Sequence, residues 1–292
     1  MKIAIISDLH FPKNISQQTI LYSESGYTDA FYESIEEQIK KFQPNNIGAF
    51  IIDGDFYWDY KEFAPLPIIP PKNQWNFYNM FIFQLVAMRQ WLHSEIPLIL
   101  IEGNHDPWFE TCVYSKNGDA FVNLTHYADF LIVHYKLTEF QANKVIELLP
   151  RNSSHKNRFE IGSNMHLLRN SGILIQNFYI YGFPYHNKEL DNTTWKEHRE
   201  TMIEIFLKKV AQIQKKRHNK SAMPILVCHH GQPKTPKIFF EQLNGKKQDI
   251  IGIFWGHWHG VSDEDVAKLR ISGKFYNVMP EKNGWNIPIF EI

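Results

Sequence analysis

The chain has 292 residues, enough for one large α/β domain or two small ones, and its 43% hydrophobic and 21% charged residues are typical of a globular protein. The 31 basic and 31 acidic side chains give a formal net charge of +0, which argues against a general attraction to nucleic acid or anionic lipid. Cys112 and Cys228 are too few for a disulfide framework, and no apolar run approaches the ~18 residues of a membrane span. Two cysteines are a cytosolic thiol pattern, so we expect a cytoplasmic protein. The apolar run at the N-terminus is too short for the apolar region of a signal peptide.

Three continuous apolar segments in the first half predict buried strands, and each one stops at polar side chains. Residues 2–7 stop before Asp8 and His10, residues 48–52 before Asp55, and residues 96–101 before Asn104, His105 and Asp106. In open α/β sheets, ligands bind beyond the carboxyl ends of the strands. We therefore expect these polar residues to share one site.

The segments between these strands have helical periodicity. Apolar residues recur at helical spacing in residues 28–42, with acids early and lysines late, and residues 73–93 form a longer aromatic-rich helix candidate. A proline-rich stretch at 63–72 is predicted to be a loop, because proline is excluded from helix interiors and central strands.

Residues 111–169 lose this periodicity, apart from a helix candidate at 138–149. We interpret the segment as a peripheral insertion within a single domain that spans residues 1–292. An alternating stretch at 172–182 then predicts a β-hairpin, and residues 194–217 predict a helix that opens with a capping box of Thr194 and Glu197.

The last part of the chain repeats the arrangement of the first. An apolar segment at 225–227 precedes His229, another at 250–255 precedes His257 and His259, and residues 285–292 predict a closing strand. A single histidine after a strand is more often structural than a ligand. Five strand ends that all carry carboxylates, amides or imidazoles are too many to be a coincidence, and they predict a metal centre.

Two divalent cations about 3.5–4 Å apart need an anionic bridge, and Asp55 is the natural candidate. In the D-x-H and H-x-H pairs, strand alternation would point residues i and i+2 to the same side. Each pair could then face one metal, with Leu9 and Trp258 pointing away.

In order, these motifs are D-x-H, G-D, G-N-H-D, H and G-H-x-H, and they extend from Asp8 to His259. With them the chain resembles the calcineurin-like metallophosphoesterase superfamily. The resemblance implies an α/β fold, a four-layer α-β-β-α sandwich of two mixed sheets flanked by helices. It also implies a phosphoesterase that cleaves phosphomonoesters or phosphodiesters with a hydroxide bridging two metals.

The resemblance also implies the role of each motif residue. One metal would be held by Asp8, His10, Asp55 and His259, and the other by Asp55, Asn104, His229 and His257. His105 would protonate the leaving oxygen, with Asp106 orienting its ring. Mixed nitrogen and oxygen ligation suits Mn²⁺, with Fe²⁺ or Zn²⁺ as alternatives.

The chain departs from many members at the third position after the bridging aspartate, where it has Trp58 instead of an acid. Other residues outside the motifs are candidates for substrate contact: some lie beside a motif, and Tyr185 and His186 follow the glycine-ended hairpin at 172–182. Each also has an ordinary structural explanation, such as a surface turn or buried aromatic area. These candidates are His230, Tyr185, His186, Trp108 and Trp58.

We expect the substrate to be a nucleotide-like or other small organic phosphate. A DNA exonuclease or endonuclease similar to the repair nucleases of the superfamily is the alternative, which the net charge of +0 does not favour. A non-catalytic scaffold is the other alternative, but no motif residue is missing. Oligomeric state, native metal and the roles of 63–72 and 111–169 stay open.

Overall fold

The computed structural model describes residues 2–10, 29–56, 78–103, 106–115, 117–150, 157–176, 178–183, 201, 204–213, 215, 223–228, 252–257 and 275–291. Its strands are β1 (Lys2–Ile6), β2 (Ala49–Asp53), β3 (Leu98–Ile101), β4 (Cys112–Tyr114), β5 (Ala120–Asn123), β6 (Arg158–Gly162), β7 (Met165–Leu168), β8 (Ser171–Ile175), β9 (Phe178–Phe183), β10 (Met223–Cys228), β11 (Ile253–Trp255), β12 (Phe275–Asn277) and β13 (Ile289–Glu291). Its helices are α1 (Asp29–Lys40), α2 (Met80–Trp91), α3 (Leu124–Tyr135) and α4 (Glu139–Glu147), and residues 204–213 are also helical.

The strands form two five-stranded sheets and one small sheet. The order in the first sheet is β13-β1-β2-β3-β7, and the order in the second is β12-β11-β10-β9-β8. Each sheet is mixed, because β13 is antiparallel to β1 and β8 is antiparallel to β9 while the other pairs are parallel. The chain is therefore a mixed α/β protein, as the sequence predicts.

The two large sheets share one apolar core. Alternate residues of the first sheet pack with residues of the second, and this cluster includes Ile3, Ile5, Ile51, Ile99, Ile101, Ile180 and Phe254. Because side chains of a strand alternate between its faces, Ala4, Ile6, Phe50 and Ile52 lie in a second cluster on the other face of the first sheet. Helices α1 and α2 cover that face.

Helix α1 illustrates why the sequence folds as it does. Phe31, Ile35 and Ile39 recur every four residues and are buried, so one side of the helix packs on the sheet. Asp29 in the first turn and Lys40 in the last complement the helix dipole. The sequence prediction of a helix at 28–42 is confirmed.

Most of the other predicted elements are also confirmed. The predicted strands near 2–7, 48–52, 96–101, 225–227, 250–255 and 285–292 correspond to β1, β2, β3, β10, β11 and β13, and the predicted hairpin corresponds to β8 and β9. Helix α2 falls within the predicted 73–93, and 204–213 within the predicted 194–217, whose capping box lies outside the described residues. Among the helices that the structure describes, none is both long and apolar enough to span a bilayer.

Residues 112–162 form a group of strands and helices beside the first sheet. The antiparallel strands β4, β5 and β6 pair with one another, and α3 and α4 pack in the same apolar cluster as α2. The predicted helix at 138–149 is α4, which opens with a capping box of Thr138 and Gln141, whereas α3 was not predicted. Within the predicted insertion at 111–169, β7 pairs with β3 and belongs to the first large sheet.

Candidate metal centre

Asp8 and His10 lie in a loop directly after β1, and both residues are buried. The loop is held against the one that follows β2, because Asp8 N–H donates to the Gly54 carbonyl at 3.0 Å and His10 N–H donates to the Asp55 carbonyl at 2.9 Å. Since β1 and β2 are parallel, these two loops leave the same edge of the first sheet. The sequence prediction that these strand ends meet is therefore confirmed.

The two side chains face each other, with His10 Nε2 at 3.7 Å from Asp8 Oδ1. The sequence predicts this from strand alternation, but that reason is wrong. β1 ends at Ile6, and Asp8 and His10 have φ angles of 52° and 44°. Left-handed backbone beyond the strand, rather than a continued strand, points both residues to one side. Leu9 is buried in the same apolar cluster as Phe31 of α1.

Asp55 lies in the loop after β2 and is 1% exposed. Gly54 and Asp55 both have positive φ, at 79° and 47°. Gly103, which follows β3, lies so close that a Cβ placed on it would be 2.2 Å from the Asp55 Oδ1 and N atoms. Only glycine permits this approach, so the loop after β3 contacts the Asp55 carboxylate directly.

His257 comes from the other sheet, in the loop after β11, and its φ is 79°. Its backbone N–H donates to Asp8 Oδ2 at 2.7 Å, and its Nδ1 atom lies 3.3 Å from Asp55 Oδ2. The preceding Gly256 allows this contact, because a Cβ there would be 2.3 Å from Asp8 Oδ2. The site is therefore assembled from both large sheets.

Ligand atoms of Asp8, Asp55 and His257 all lie within 4.8 Å of one another. Two carboxylates that are 0% and 1% exposed repel each other, and burial makes that repulsion costly. A divalent cation between them would offset this cost, and a set of carboxylate oxygens with an imidazole nitrogen suits a transition metal. The residues present therefore fit a metal ion.

Backbone strain is concentrated at this site. Asp8, His10, Asp55 and His257 are four non-glycine residues in left-handed conformations, each of which costs on the order of 1–3 kcal/mol. Such outliers persist where the surrounding structure holds them, and they often mark functional sites. The hydrogen bonds between the three loops supply that support here.

Asp106 is completely buried beside this centre. Its Oδ2 atom accepts a hydrogen bond from the Gly103 N–H at 3.0 Å and another from the Phe56 N–H at 3.3 Å. This carboxylate therefore ties the loop after β3 to the loop after β2. Its predicted role in orienting His105 stays a prediction.

The structure brings together Asp8, His10, Asp55, Asp106 and His257 of the residues that the sequence singles out. The other predicted site residues lie outside the described residues, namely Asn104, His105, His229, His259, Trp58, Tyr185, His186 and His230. Trp108 lies in a 3-10 turn at Pro107–Thr111, but its side chain is likewise outside the described part.

Two buried polar residues next to the centre were not predicted as part of it. Ser7 and Asp53 are both 0% exposed and immediately precede the Asp8 and Gly54-Asp55 motifs. Asp53 is the last residue of β2 and continues the alternation of Ala49 and Ile51, which face the second sheet. Ser7 Oγ would be 2.2 Å from a Cβ at position 256. A polar residue at the end of an otherwise apolar strand is the sequence signal that could have identified them.

Comparison with known proteins agrees with this geometry. The family model described as calcineurin-like phosphoesterase matches residues 1–261. No curated protein matches the chain. One similar solved structure is described as the crystal structure of the protein of unknown function AQ665 from Aquifex aeolicus. It is 12% identical, and the match covers 99% of this chain and 95% of that one with a TM-score of 0.37.

The match to the family model covers most of the chain, and three of the family's motif residues meet at one buried centre. The chain therefore belongs to the calcineurin-like phosphoesterase family and is a metal-dependent phosphoesterase.

Proposed function

We propose that the protein is a dinuclear phosphohydrolase that acts on a nucleotide-like or other small organic phosphate. The observation that carries this proposal is the group of Asp8, Asp55 and His257, whose ligand atoms lie within 4.8 Å of one another at the meeting point of two sheets. Asp55 contacts the His257 ring and lies between the loops of β1 and β3, which suits a residue that bridges two cations.

The proposed ligand sets follow the family motifs. Asp8, His10, Asp55 and His259 would hold one cation, and Asp55, Asn104, His229 and His257 would hold the other. Mn²⁺ is the proposed metal, with Fe²⁺ or Zn²⁺ as alternatives, because the set mixes imidazole nitrogen with carboxylate and amide oxygen.

When bound, the two cations supply an activated water and neutralise negative charge on the phosphate. His105 donates a proton to the leaving ester oxygen as its bond to phosphorus breaks. Asp106 supports this step in two ways, by orienting the His105 ring and by fixing the backbone of Gly103 through its 3.0 Å hydrogen bond. Asp8 and Asp55 keep the metals in place from loops that are hydrogen-bonded to each other.

We further propose that the two large sheets and their helices form the four-layer α-β-β-α sandwich of the family. Helices α1 and α2 cover the first sheet, and Phe206 of the helical residues 204–213 packs on Tyr181 of the second, with ring centroids 5.1 Å apart. Residues 1–292 would be one domain with a peripheral insertion at about 111–169. A cytoplasmic location is proposed from the low cysteine content and the buried free thiol of Cys112.

Substrate contacts are proposed for residues beside the metal-binding motifs and for the two residues that follow the hairpin of β8 and β9 in the sequence. They are His230, Tyr185, His186, Trp108 and Trp58. Aromatic side chains in such positions can stack on a nucleobase, which is why we favour a nucleotide-like substrate.

The experiment is a comparison of substrates with Mn²⁺-loaded protein. Bis-p-nitrophenyl phosphate, p-nitrophenyl phosphate and linear DNA are offered separately, and chelator-treated protein is the control. We expect metal-dependent hydrolysis of at least one small ester. Cleavage of DNA with no turnover of either small ester would instead assign a nuclease, and no hydrolysis of any of the three would contradict the proposal.

A further inference from the structure

Glu102 and Arg169 form an ion pair at the carboxyl ends of β3 and β7, on the same side of the first sheet as the loops that carry Asp8 and Asp55. Arg169 Nε lies 2.6 Å from Glu102 Oε2, and Arg169 Nη2 donates to Glu102 Oε1 at 3.0 Å. Two parallel contacts of this kind fix the relative orientation of the two planar groups. Glu102 is 22% exposed and Arg169 is 39% exposed, so the pair is partly shielded from water.

The two residues follow neighbouring parallel strands. β3 ends at Ile101 and β7 ends at Leu168, and these two residues are partners in the sheet register. Glu102 and Arg169 are thus the first residues beyond the sheet on each strand. Their ion pair continues the pairing of β3 and β7 past the last backbone hydrogen bonds of the ladder.

Glu102 is joined to the metal centre by the next residue, Gly103. Gly103 lies against the Asp55 carboxylate with no room for a Cβ, and its N–H donates to Asp106. A displacement of Glu102 would therefore move the backbone that contacts Asp55.

Arg169 lies at the connection between the two large sheets. Its backbone N–H donates to Ser171 Oγ at 3.1 Å, at the start of β8, which belongs to the second sheet. The two sheets touch tightly next to it, because a Cβ on Gly182 of β9 would be 2.6 Å from Leu168 and 3.0 Å from Ile101. The ion pair therefore lies where the first sheet, which carries Asp8 and Asp55, meets the second sheet, which carries His257.

We propose that Glu102 and Arg169 are positioning residues of the metal centre, which hold the loop after β3 against Asp55 and fix that loop to the connection between the sheets. Neither residue touches metal or substrate in this role. The inference rests on the proposed function, since it concerns the same centre. It predicts that the pair acts as a unit on metal affinity and turnover.

The test uses Glu102→Gln, Arg169→Met and the double variant, with Glu160→Gln as a matched control. Glu160 also pairs with an arginine, Arg158, at 3.6 Å, but this pair lies on β6 of the small sheet. Mn²⁺ affinity is measured on metal-stripped protein by calorimetry. Values of kcat and KM are measured for the best small ester, and thermal melting checks folding.

We expect each single variant to lose about 10–100-fold in Mn²⁺ affinity or kcat, the range found for residues that orient metal ligands. KM should change little, and the double variant should be no worse than the worse single variant, because both substitutions break the same contact. Arg169→Lys keeps the charge but not the fork of donors, so it should fall between wild type and Arg169→Met. Glu160→Gln should match wild type. Should Arg169→Met fail to fold, Glu102→Gln and Arg169→Lys carry the same comparison.

Three results would overturn the inference. If the variants of Glu102 and Arg169 kept wild-type kcat and Mn²⁺ affinity, the two residues would form only a surface ion pair. A raised KM in Arg169→Met alone, with Glu102→Gln unaffected, would make Arg169 a substrate contact instead. Multiplying losses in the double variant would mean that the two residues act independently. If wild-type protein hydrolyses no ester, the proposed function fails, and Mn²⁺ affinity alone then decides this inference.

Discussion

The backbone N–H of His257 donates a 2.7 Å hydrogen bond to Asp8 Oδ2, although the two residues are 249 positions apart in the chain. This contact joins the loop after β1 in the first sheet to the loop after β11 in the second. Because each sheet contributes only part of the candidate ligand group of Asp8, Asp55 and His257, the geometry of that group depends on how closely the two loops approach each other.

Gly256→Ala should weaken this approach. The new Cβ would lie 2.3 Å from Asp8 Oδ2 and 2.2 Å from Ser7 Oγ, so the loop after β11 must move away. We expect Mn²⁺ affinity to fall by at least about tenfold, as measured by calorimetry.

Gly284→Ala is the control for this variant. Gly284 has a φ of 62° but open space around its Cβ position, where the nearest atom is 3.6 Å away. Its alanine variant should lose stability of on the order of 1 kcal/mol through backbone strain and bind Mn²⁺ normally. Equal Mn²⁺ affinities in Gly256→Ala and wild type would refute the close-approach argument.

His105→Ala should leave the metals bound and lower kcat for esters with poor leaving groups by roughly 10²–10⁴, the range for a general acid. The loss should be small for p-nitrophenyl esters, whose leaving group needs no proton. Steady-state kinetics on a matched pair of esters measures the difference. His126→Ala, at an exposed position of α3, is the control. Equal losses on both esters would remove His105 from the role of acid.

Asp106→Ala should destabilise the protein by about 1.5–3 kcal/mol, since it leaves the N–H groups of Gly103 and Phe56 without their charged acceptor. Asp106→Asn keeps an acceptor oxygen and should lose less. Urea unfolding of the metal-free protein measures both changes. If Asp106→Ala and wild type had the same free energy of unfolding, the hydrogen bonds from Phe56 and Gly103 to Asp106 would contribute nothing to stability.

Cys112 should be inert as a thiol in the folded protein. Burial raises the pKa of Cys112 to about 12, so the thiol stays protonated at pH 8, and the thiolate is the reactive form. In a Cys228→Ser background, a disulfide reagent at pH 8 should label Cys112 only after denaturant is added. Rapid labelling of the folded protein would contradict its burial.

The same shift predicts a change of stability with pH. The pKa of Cys112 is higher in the folded chain than in the unfolded one, so its contribution to stability is complete below the unfolded pKa and is lost as the pH rises towards about 12. The free energy of unfolding should therefore fall less steeply above about pH 9 in Cys112→Ala than in its parent. If the free energy of unfolding fell equally steeply with pH in the two proteins, the raised pKa of Cys112 would be contradicted.

The sequence predicts the elements whose local pattern is strong. β1, β2 and β3 are continuous apolar runs, and the polar residues after them reveal the edge at which the site forms. The parallel pairing of β1 with β2 then brings Asp8 and Asp55 together, as expected from topology alone. The family motifs add the role of each residue, which periodicity cannot supply.

The features that the sequence does not predict depend on tertiary contacts. Helix α3 is apolar around much of its surface and packs beside α2 and α4, so it lacks the single apolar face that marks an exposed helix. The left-handed backbone of Asp8 and His10 is imposed by hydrogen bonds to the neighbouring loop. The pairing of Glu102 with Arg169 joins residues 67 positions apart, and neither belongs to a motif.

Metal stoichiometry is the sharpest test of a dinuclear centre bridged by Asp55. Metal-stripped wild type and Asp55→Asn are titrated with Mn²⁺ and followed by calorimetry and by metal analysis after gel filtration. We predict two Mn²⁺ ions per wild-type chain, with a marked loss of occupancy and of ester hydrolysis in Asp55→Asn. Two ions at full occupancy in Asp55→Asn would contradict the bridging role of Asp55, and a single ion in a fully active wild type would contradict a dinuclear centre.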